Sequence, residues 1–275
     1  MKLYDQHLHS RHSFDSKADP ARNVERAIEL GLAGLTFTEH FDVHPDDWKT
    51  CSYDDAAYSE TIAALRERFG REIFVGKGVE ICFQPDHMDF ILDFLAGHRF
   101  DMVMLSIHYF AGRPVHKKES WETVDLAEGT RQYLATVLEG ARMCRRVNTS
   151  QERVFDVLGH LDFVKRYTQR FFGEVDMHAH REIVDEILRT CVEADLVPEI
   201  NTSTLRGDLD ETMPGPDVVK RYAELGGAAM SIGSDAHVSE HVGAGLHHAV
   251  DMLRDAGISH IALFHDRERT SEPIE

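Results

Sequence analysis

Along this chain, short runs of β-branched and apolar residues alternate with longer stretches whose apolar positions recur at helical spacing. Strand-like runs cover 2–4, 35–38, 73–79, 102–107, 154–158, 196–200 and 228–232, with one more candidate at 261–264. Between them, Ile183, Val184, Ile187, Leu188 and Cys191 follow the i, i+1, i+4, i+5, i+8 rhythm of one buried helix face. Tyr133, Leu134, Val137, Leu138 and Ala141 repeat it, as do Val218, Val219, Tyr222 and Leu225. Gly31 and the Gly226-Gly227 pair stand where helices would end and hand over to the next strand. Strands alternating with helices predict a parallel sheet with crossovers. Seven or eight such units in one chain predict an α/β barrel, closed or nearly so, rather than an open doubly wound sheet. No linker or compositional break divides residues 1–275, so one domain is expected.

Polar residues fall at the ends of these strands. In an extended chain residues i and i+2 point the same way, so His7 and His9 present two imidazoles side by side. Thr38-Glu39-His40 ends the second strand, Gly78-Val79-Glu80 the third, and Ser106-Ile107-His108 the fourth. Gly159-His160-Leu161-Asp162 ends the fifth, Glu199-Ile200-Asn201-Thr202 the sixth, and Gly233-Ser234-Asp235-Ala236-His237 the seventh. Any one of these histidines alone reads as an ordinary strand cap. Together they converge on the C-terminal face of a barrel, where catalytic groups gather, and neutral imidazoles are good ligands for Zn, Fe, Mn or Ni.

Charge sharpens that reading. Thirty basic against 48 acidic residues leave a formal net charge of −18, which argues against nucleic-acid or anionic-membrane partners. An anionic substrate would then need local positive charge, which divalent cations would supply. Cys51, Cys82, Cys144 and Cys191 are far apart and form no C-x-x-C, so neither a zinc knuckle nor a disulfide framework is indicated. The opening residues turn polar too soon for a secretory signal, and no apolar run approaches a membrane span. A cytoplasmic location is expected.

Other features carry less. His178-Ala179-His180 precedes a helix, where i and i+2 diverge. His12 and His44 lie near the expected site with no role assigned. The 111–121 segment is long and basic, a candidate lid over the strand ends. No H-E-x-x-H, G-x-S-x-G or P-loop signature occurs.

Taken in order, the motifs His7-Leu8-His9 with Asp15, Thr38-Glu39-His40, Gly78-Val79-Glu80-Ile81, Ser106-Ile107-His108, Gly159-His160-Leu161-Asp162 and Gly233-Ser234-Asp235-Ala236-His237 resemble the PHP (polymerase and histidinol phosphatase) superfamily nearly end to end. The resemblance implies a distorted (β/α)7 TIM-like barrel with a trinuclear metal centre, whose three sites are expected to bind two to three divalent ions, Zn, Fe or Mn. It puts His7, His9, Glu80 and Asp235 on the first metal, Glu80, His108 and His160 on the second, and Asp15, His40 and His237 on the third. Asp15 stands where some members have His. Within the superfamily, the segments 159–167 and 199–206 look like the histidinol-phosphate phosphatases, with Thr204 where those enzymes often have glycine. Arg166 and Arg206 are the cations expected at the phosphate, because a guanidinium fork matches its oxygens.

The implied activity is metal-dependent hydrolysis of a phosphate monoester, L-histidinol phosphate first, by a metal-bridging hydroxide. Glu80, Asp235 and His237 are the expected catalytic residues. The alternatives are another small phosphorylated metabolite, phosphotyrosine, a C–N hydrolase on a similar barrel, or a metal-binding module without catalysis.

Overall fold

The computed structural model describes residues 1–45, 53–149, 152–174, 177–207 and 209–274. In chain order its strands are β1 (Tyr4–Leu8), β2 (Gly34–Phe41), β3 (Phe74–Cys82), β4 (Met102–Ser106), the short pair β5 (Tyr109–Phe110) and β6 (Arg113–Pro114), β7 (Val157–Leu158), β8 (Val197–Asn201), β9 (Ser231–Gly233), β10 (His260–His265) and β11 (Glu268–Pro273). The helices are α1 (Pro20–Glu29), α2 (Asp55–Phe69), α3 (Met88–Gly97), α4 (Leu126–Val147), α5 (Val164–Phe172), α6 (Arg181–Glu193), α7 (Pro216–Glu224) and α8 (Leu246–Asp255). Among the described residues, seven parallel strands form one sheet in the order β1-β2-β3-β4-β7-β8-β9.

Closure between the two edge strands is local. Leu8 and Ala236 form a single parallel bridge, with His9 N donating to Ala236 O at 2.8 Å and Asp235 N to His7 O at 2.7 Å. Lower down, β1 and β9 are joined through β10: Met230 bridges to Ile261, and the buried Gln6 amide donates to Ser231 Oγ (3.1 Å) and Ala262 O (2.7 Å). The run 261–264 is therefore a strand, but not an eighth barrel stave. It pairs antiparallel with β11 and closes the bottom of the barrel. There Ala262 and Phe264 pack with Met102, Met104, Val157 and Val197 into an apolar floor.

The helices cover the outside by their apolar stripes. In α4 the buried set includes Tyr133, Leu134, Val137, Leu138 and Ala141, and in α6 Val184, Ile187, Leu188 and Cys191, the faces expected from spacing. Asp19 caps α1 by accepting from Ala21 N at 3.0 Å, with Pro20 in the first turn. Gly31 (φ 71°) and Gly226 (φ 99°) take left-handed conformations just beyond α1 and α7. The fifth barrel strand is shorter than the apolar run 154–158 suggests. Val154 N and Phe155 N are taken by the Asn148 side chain (2.9 and 3.0 Å), so bonding to the neighbouring strands begins only at Asp156, whose N donates to Val103 O at 2.9 Å, and the strand itself is Val157–Leu158. Cys82, Cys144 and Cys191 are buried free thiols, and Cys51 lies outside the described residues. Among the described residues no helix is long and apolar enough to cross a membrane.

Candidate metal centre

At the C-terminal end of the barrel the strand ends meet. His7 lies in β1 and His9 one residue past it; both are fully buried, with ring centroids 5.2 Å apart. Closure of β1 on β9 brings Asp235 against this pair, its Oδ1 3.7 Å from His7 Nε2 and 3.5 Å from His9 Nε2. The approach requires a glycine at 233, where a Cβ would lie 2.3 Å from His7 Cβ and 2.7 Å from Glu199 Oε1.

Glu80, near the end of β3 and 1% exposed, stands at the centre. Its Oε2 lies 3.4 Å from both His7 Nε2 and His9 Nε2 and 3.2 Å from His40 Nδ1. Its Oε1 lies 3.0 Å from His160 Nε2 and 3.4 Å from His108 Nε2. One carboxylate thus touches imidazoles from β1, β2 and the ends of β4 and β7. Toward solvent, Asp15 Oδ2 is 2.9 Å from His237 Nε2 and 3.4 Å from His40 Nε2. All nine residues expected as ligands are gathered here. Ligand-type atoms within 4.8 Å of one another fall into the groups His7–His9–Asp235, His7–Glu80–His160 and His9–Asp15–His40–His237.

A fourth group, His40–Asp42–His108, includes a residue that sequence reasoning missed. Asp42 Oδ2 lies 3.8 Å from His40 Nδ1 and its Oδ1 3.9 Å from His108 Nδ1. Its signal was present, as a carboxylate two residues beyond His40 and one past the end of β2.

Two buried glutamates orient the imidazoles from behind. Glu199 Oε1 is 2.7 Å from His7 Nδ1, while its Oε2 accepts from His160 N at 2.9 Å. Glu39 accepts from Ser10 N (3.1 Å), Ser10 Oγ (2.5 Å) and Ser13 Oγ (2.5 Å), and Ser13 Oγ contacts His9 Nδ1 at 3.1 Å. Such outer carboxylates fix ring orientation and tautomer at metal sites. Both sit within the strand-end motifs, but spacing could not tell a ligand from its support.

The electrostatics are those of a cation site. Burial opposes a proton on His40, yet Glu80, Asp15 and Asp42 outweigh it and raise its pKa to about 10. His7, also against burial, is raised well above the ordinary range by Glu199, Glu80 and Asp235. Burial, with His237 and His40 alongside, pushes His9 down to about 3. Although burial works the other way, the surrounding histidines hold Glu80 and Asp235 well below the usual carboxylate range. Buried and making no hydrogen bond are His7 Nε2, His9 Nε2, His40 Nδ1 and Glu80 Oε2. Unpaired buried polar atoms cost about 1–3 kcal/mol each. Four of them aimed into one space fit bound cations, which would displace the protons and satisfy the lone pairs. Mixed imidazole and carboxylate donors suit Zn, Fe or Mn.

Beside this cluster lie both expected arginines. Arg166, at the start of α5, donates to Ser203 Oγ and reaches Asp235 Oδ2 at 3.4 Å. Arg206 Nη2 donates to Ser234 O (2.7 Å) and Asp235 O (3.4 Å), leaving Nη1 buried and without a hydrogen bond.

Other histidines stay outside. His12 Nε2 is taken by Thr61 Oγ1 at 2.9 Å, and His44 stacks on Tyr109 with centroids 3.9 Å apart. His178 and His180 lie in a one-turn 3₁₀ helix before α6. Rather than a free flap, the 111–121 segment is a packed hairpin and turn. Val115 and Trp121 are buried, and Trp121 Nε1 donates to Val115 O at 3.1 Å.

With this geometry in hand, residues 5–203 match the model of the PHP domain. The chain is 30% identical over 264 residues to a probable histidinol-phosphatase of Clostridium acetobutylicum, covering 93% of this chain and 94% of the relative. It is 28% identical over 269 residues to the histidinol-phosphatase of Lactococcus lactis, covering 96% and 95%. The crystal structure of the Lactococcus lactis histidinol phosphate phosphatase, complexed with Zn, L-histidinol and phosphate, superposes with a TM-score of 0.87 at 27% identity, over 98% of this chain and 99% of that one.

Proposed function

The chain belongs to the PHP domain family, and on that premise we propose that it is a metal-dependent phosphoric monoester hydrolase whose substrate is L-histidinol phosphate. The observation that carries the reading is the gathering of six histidines and two carboxylates around Glu80 at one end of the barrel, with five of those histidines in contact with it. The choice of substrate is supported by the relatives, a probable histidinol-phosphatase and a histidinol-phosphatase matched over nearly their whole length, and by the Lactococcus lactis enzyme that holds L-histidinol and phosphate.

We assign His7, His9, Glu80 and Asp235 to one divalent ion, Glu80, His108 and His160 to a second, and Asp15, His40 and His237 to a third. When bound, such ions supply positive charge for the phosphoryl oxygens and a water-derived nucleophile at neutral pH. The protein supplies the rest. Glu80 and Asp235 hold the negative charge that keeps cations in place. Arg166 and Arg206 bind the phosphoryl oxygens and stabilise the charge that grows on them. Asp15 and His237, 35% and 31% exposed, form the open edge past which the leaving alcohol departs. One domain spanning the described residues accounts for the site, because its residues run from β1 to the segment just past β9.

Phosphate release from L-histidinol phosphate by metal-reconstituted protein, set beside a panel of sugar, nucleotide and aryl phosphates, tests this. L-Histidinol phosphate should be hydrolysed best, with activity lost on chelation and regained with Zn, Fe or Mn. A different ester cleaved about tenfold better, a difference of roughly 1.4 kcal/mol, would remove the substrate assignment and leave the phosphatase. Full activity in metal-free protein would remove both.

A further inference from the structure

The segment 159–167 contains two charged residues that the site itself does not use, Asp162 and Lys165. Lys165 is 2% exposed and Asp162 fully buried. The Lys165 ammonium lies 2.9 Å from Asp162 Oδ2 and 2.8 Å from Glu211 Oε2. Asp162 belongs to the same turn, but Glu211 comes from the loop after β8. That loop carries the 3₁₀ turn Ser203–Arg206, and Thr204 Oγ1 donates back to Glu211 O. Its two ends are tied together by Asn201 N to Met213 O (2.8 Å) and Met213 N to Asn201 O (2.9 Å).

Lys165 and Arg166 are consecutive in the first turn of α5, so their side chains diverge by about 100° around the helix. Arg166 runs into the site and grips Ser203, while Lys165 runs behind it and grips Glu211. The first turn of α5 therefore holds the loop bearing Arg206 at two points. An ammonium this deep is retained only when fully paired, and an apolar side chain of similar volume would often pack as stably. What the charge adds is a fixed distance between two segments that no ladder joins.

Accordingly, we infer that Lys165, anchored by Asp162 and bonded to Glu211, is a positioning residue that holds the Arg166 and Arg206 arms at the separation at which both guanidinium groups reach one phosphoryl group. The inference rests on the phosphatase reading above. Neither Lys165 nor Glu211 touches substrate; both act through the arginines.

Inorganic phosphate, as a competitive inhibitor of the metal-loaded enzyme, is the probe. Glu211 is 40% exposed, so Glu211→Gln removes the charge that holds Lys165 without emptying the core. This variant should keep the wild-type metal content while its phosphate inhibition constant and its KM both rise about tenfold, as expected for a small misplacement of a binding group. Lys165→Met, which removes the same link from the other side, should shift the inhibition constant in the same direction. In an Arg166→Ala background, Glu211→Gln should add less than about twofold, because the pair then has one arm left to position. The inference is overturned if Glu211→Gln leaves both constants within about twofold of wild type, or if its effect adds in full to Arg166→Ala. Either result in an enzyme that hydrolyses histidinol phosphate would leave the phosphatase reading intact. A wild type without phosphatase activity would overturn that reading and this inference together.

Discussion

His7 Nδ1 and Glu199 Oε1 lie 2.7 Å apart, and neither residue has any exposed surface. This contact decides which ring nitrogen of His7 faces the centre: with Nδ1 against the carboxylate, Nε2 is left toward Glu80 and Asp235. Glu199→Gln keeps the shape and removes the charge. The variant should fold and bind metal about 10–100-fold more weakly, the usual cost of losing an outer carboxylate. Elemental analysis after dialysis in a metal-buffered solution reads this directly, and retention equal to wild type would show that His7 needs no carboxylate behind it.

Glu80 contacts five imidazoles, through both of its oxygens. Glu80→Gln should therefore lower metal content more than any other single ligand change. Asp15→Asn, at the open edge and paired there with His40 and His237, should lose at most one ion. Equal losses from the two variants would place the bridging role elsewhere.

The pH response of metal-stripped protein follows from the same cluster. His40 titrates near 10 in the folded chain, against about 6.5 when unfolded. His7 and His237 are raised as well. A raised histidine contributes stability that is complete below the unfolded value and is lost as pH rises toward the folded one. His9, depressed to about 3, acts in the opposite sense only below about 6.5. EDTA-treated protein should thus melt at a lower temperature at pH 9 than at pH 7. Reloaded protein should lose that difference, since ligands bind ions with their protons already released. A stripped protein equally stable at both values would mean that these histidines carry no extra protons.

The arginines should separate by metal content. Arg166 meets the cluster only at Asp235 Oδ2, 3.4 Å away. Arg166→Ala should keep its ions and lower kcat/KM about ten- to a hundredfold, the worth of a charge-assisted contact that tightens in the transition state. Arg206 also holds the backbone of Ser234 and Asp235. Arg206→Ala should lose both activity and part of the metal, because Asp235 sits in a left-handed conformation (φ 53°) that its loop must enforce. Arg206→Lys should recover metal content better than activity, since an ammonium can bond a carbonyl but cannot fork onto phosphate. If Arg206→Ala keeps full metal content, the loop is held without it, by the Leu8–Ala236 bridge and by Asp5, which accepts from Ser234 N and Oγ at 2.8 and 2.6 Å.

What the sequence determined by itself was whatever repeats along one chain direction. A period of two put His7 and His9 on one side of β1, and the spacing in α4 and α6 named their buried faces, because backbone geometry alone sets those periods. The order of strand-end motifs pointed to the barrel, and the family resemblance those motifs carry named nine of the residues that the fold gathers, but not Asp42. Tertiary structure decided everything that depends on which segments meet. The Asn148 side chain shortened the fifth barrel strand by taking Val154 N and Phe155 N. The 261–264 strand turned against β11 and became the floor of the barrel, since the gap below the Leu8–Ala236 bridge is filled through Met230 and Gln6. Glu199 and Glu39 look like ligands in the sequence, yet the fold set them behind His7 and Ser13, one layer from the centre. Contact between residues nearly two hundred positions apart leaves no local period to read, and there the packing of the closed barrel alone separates a ligand from its support.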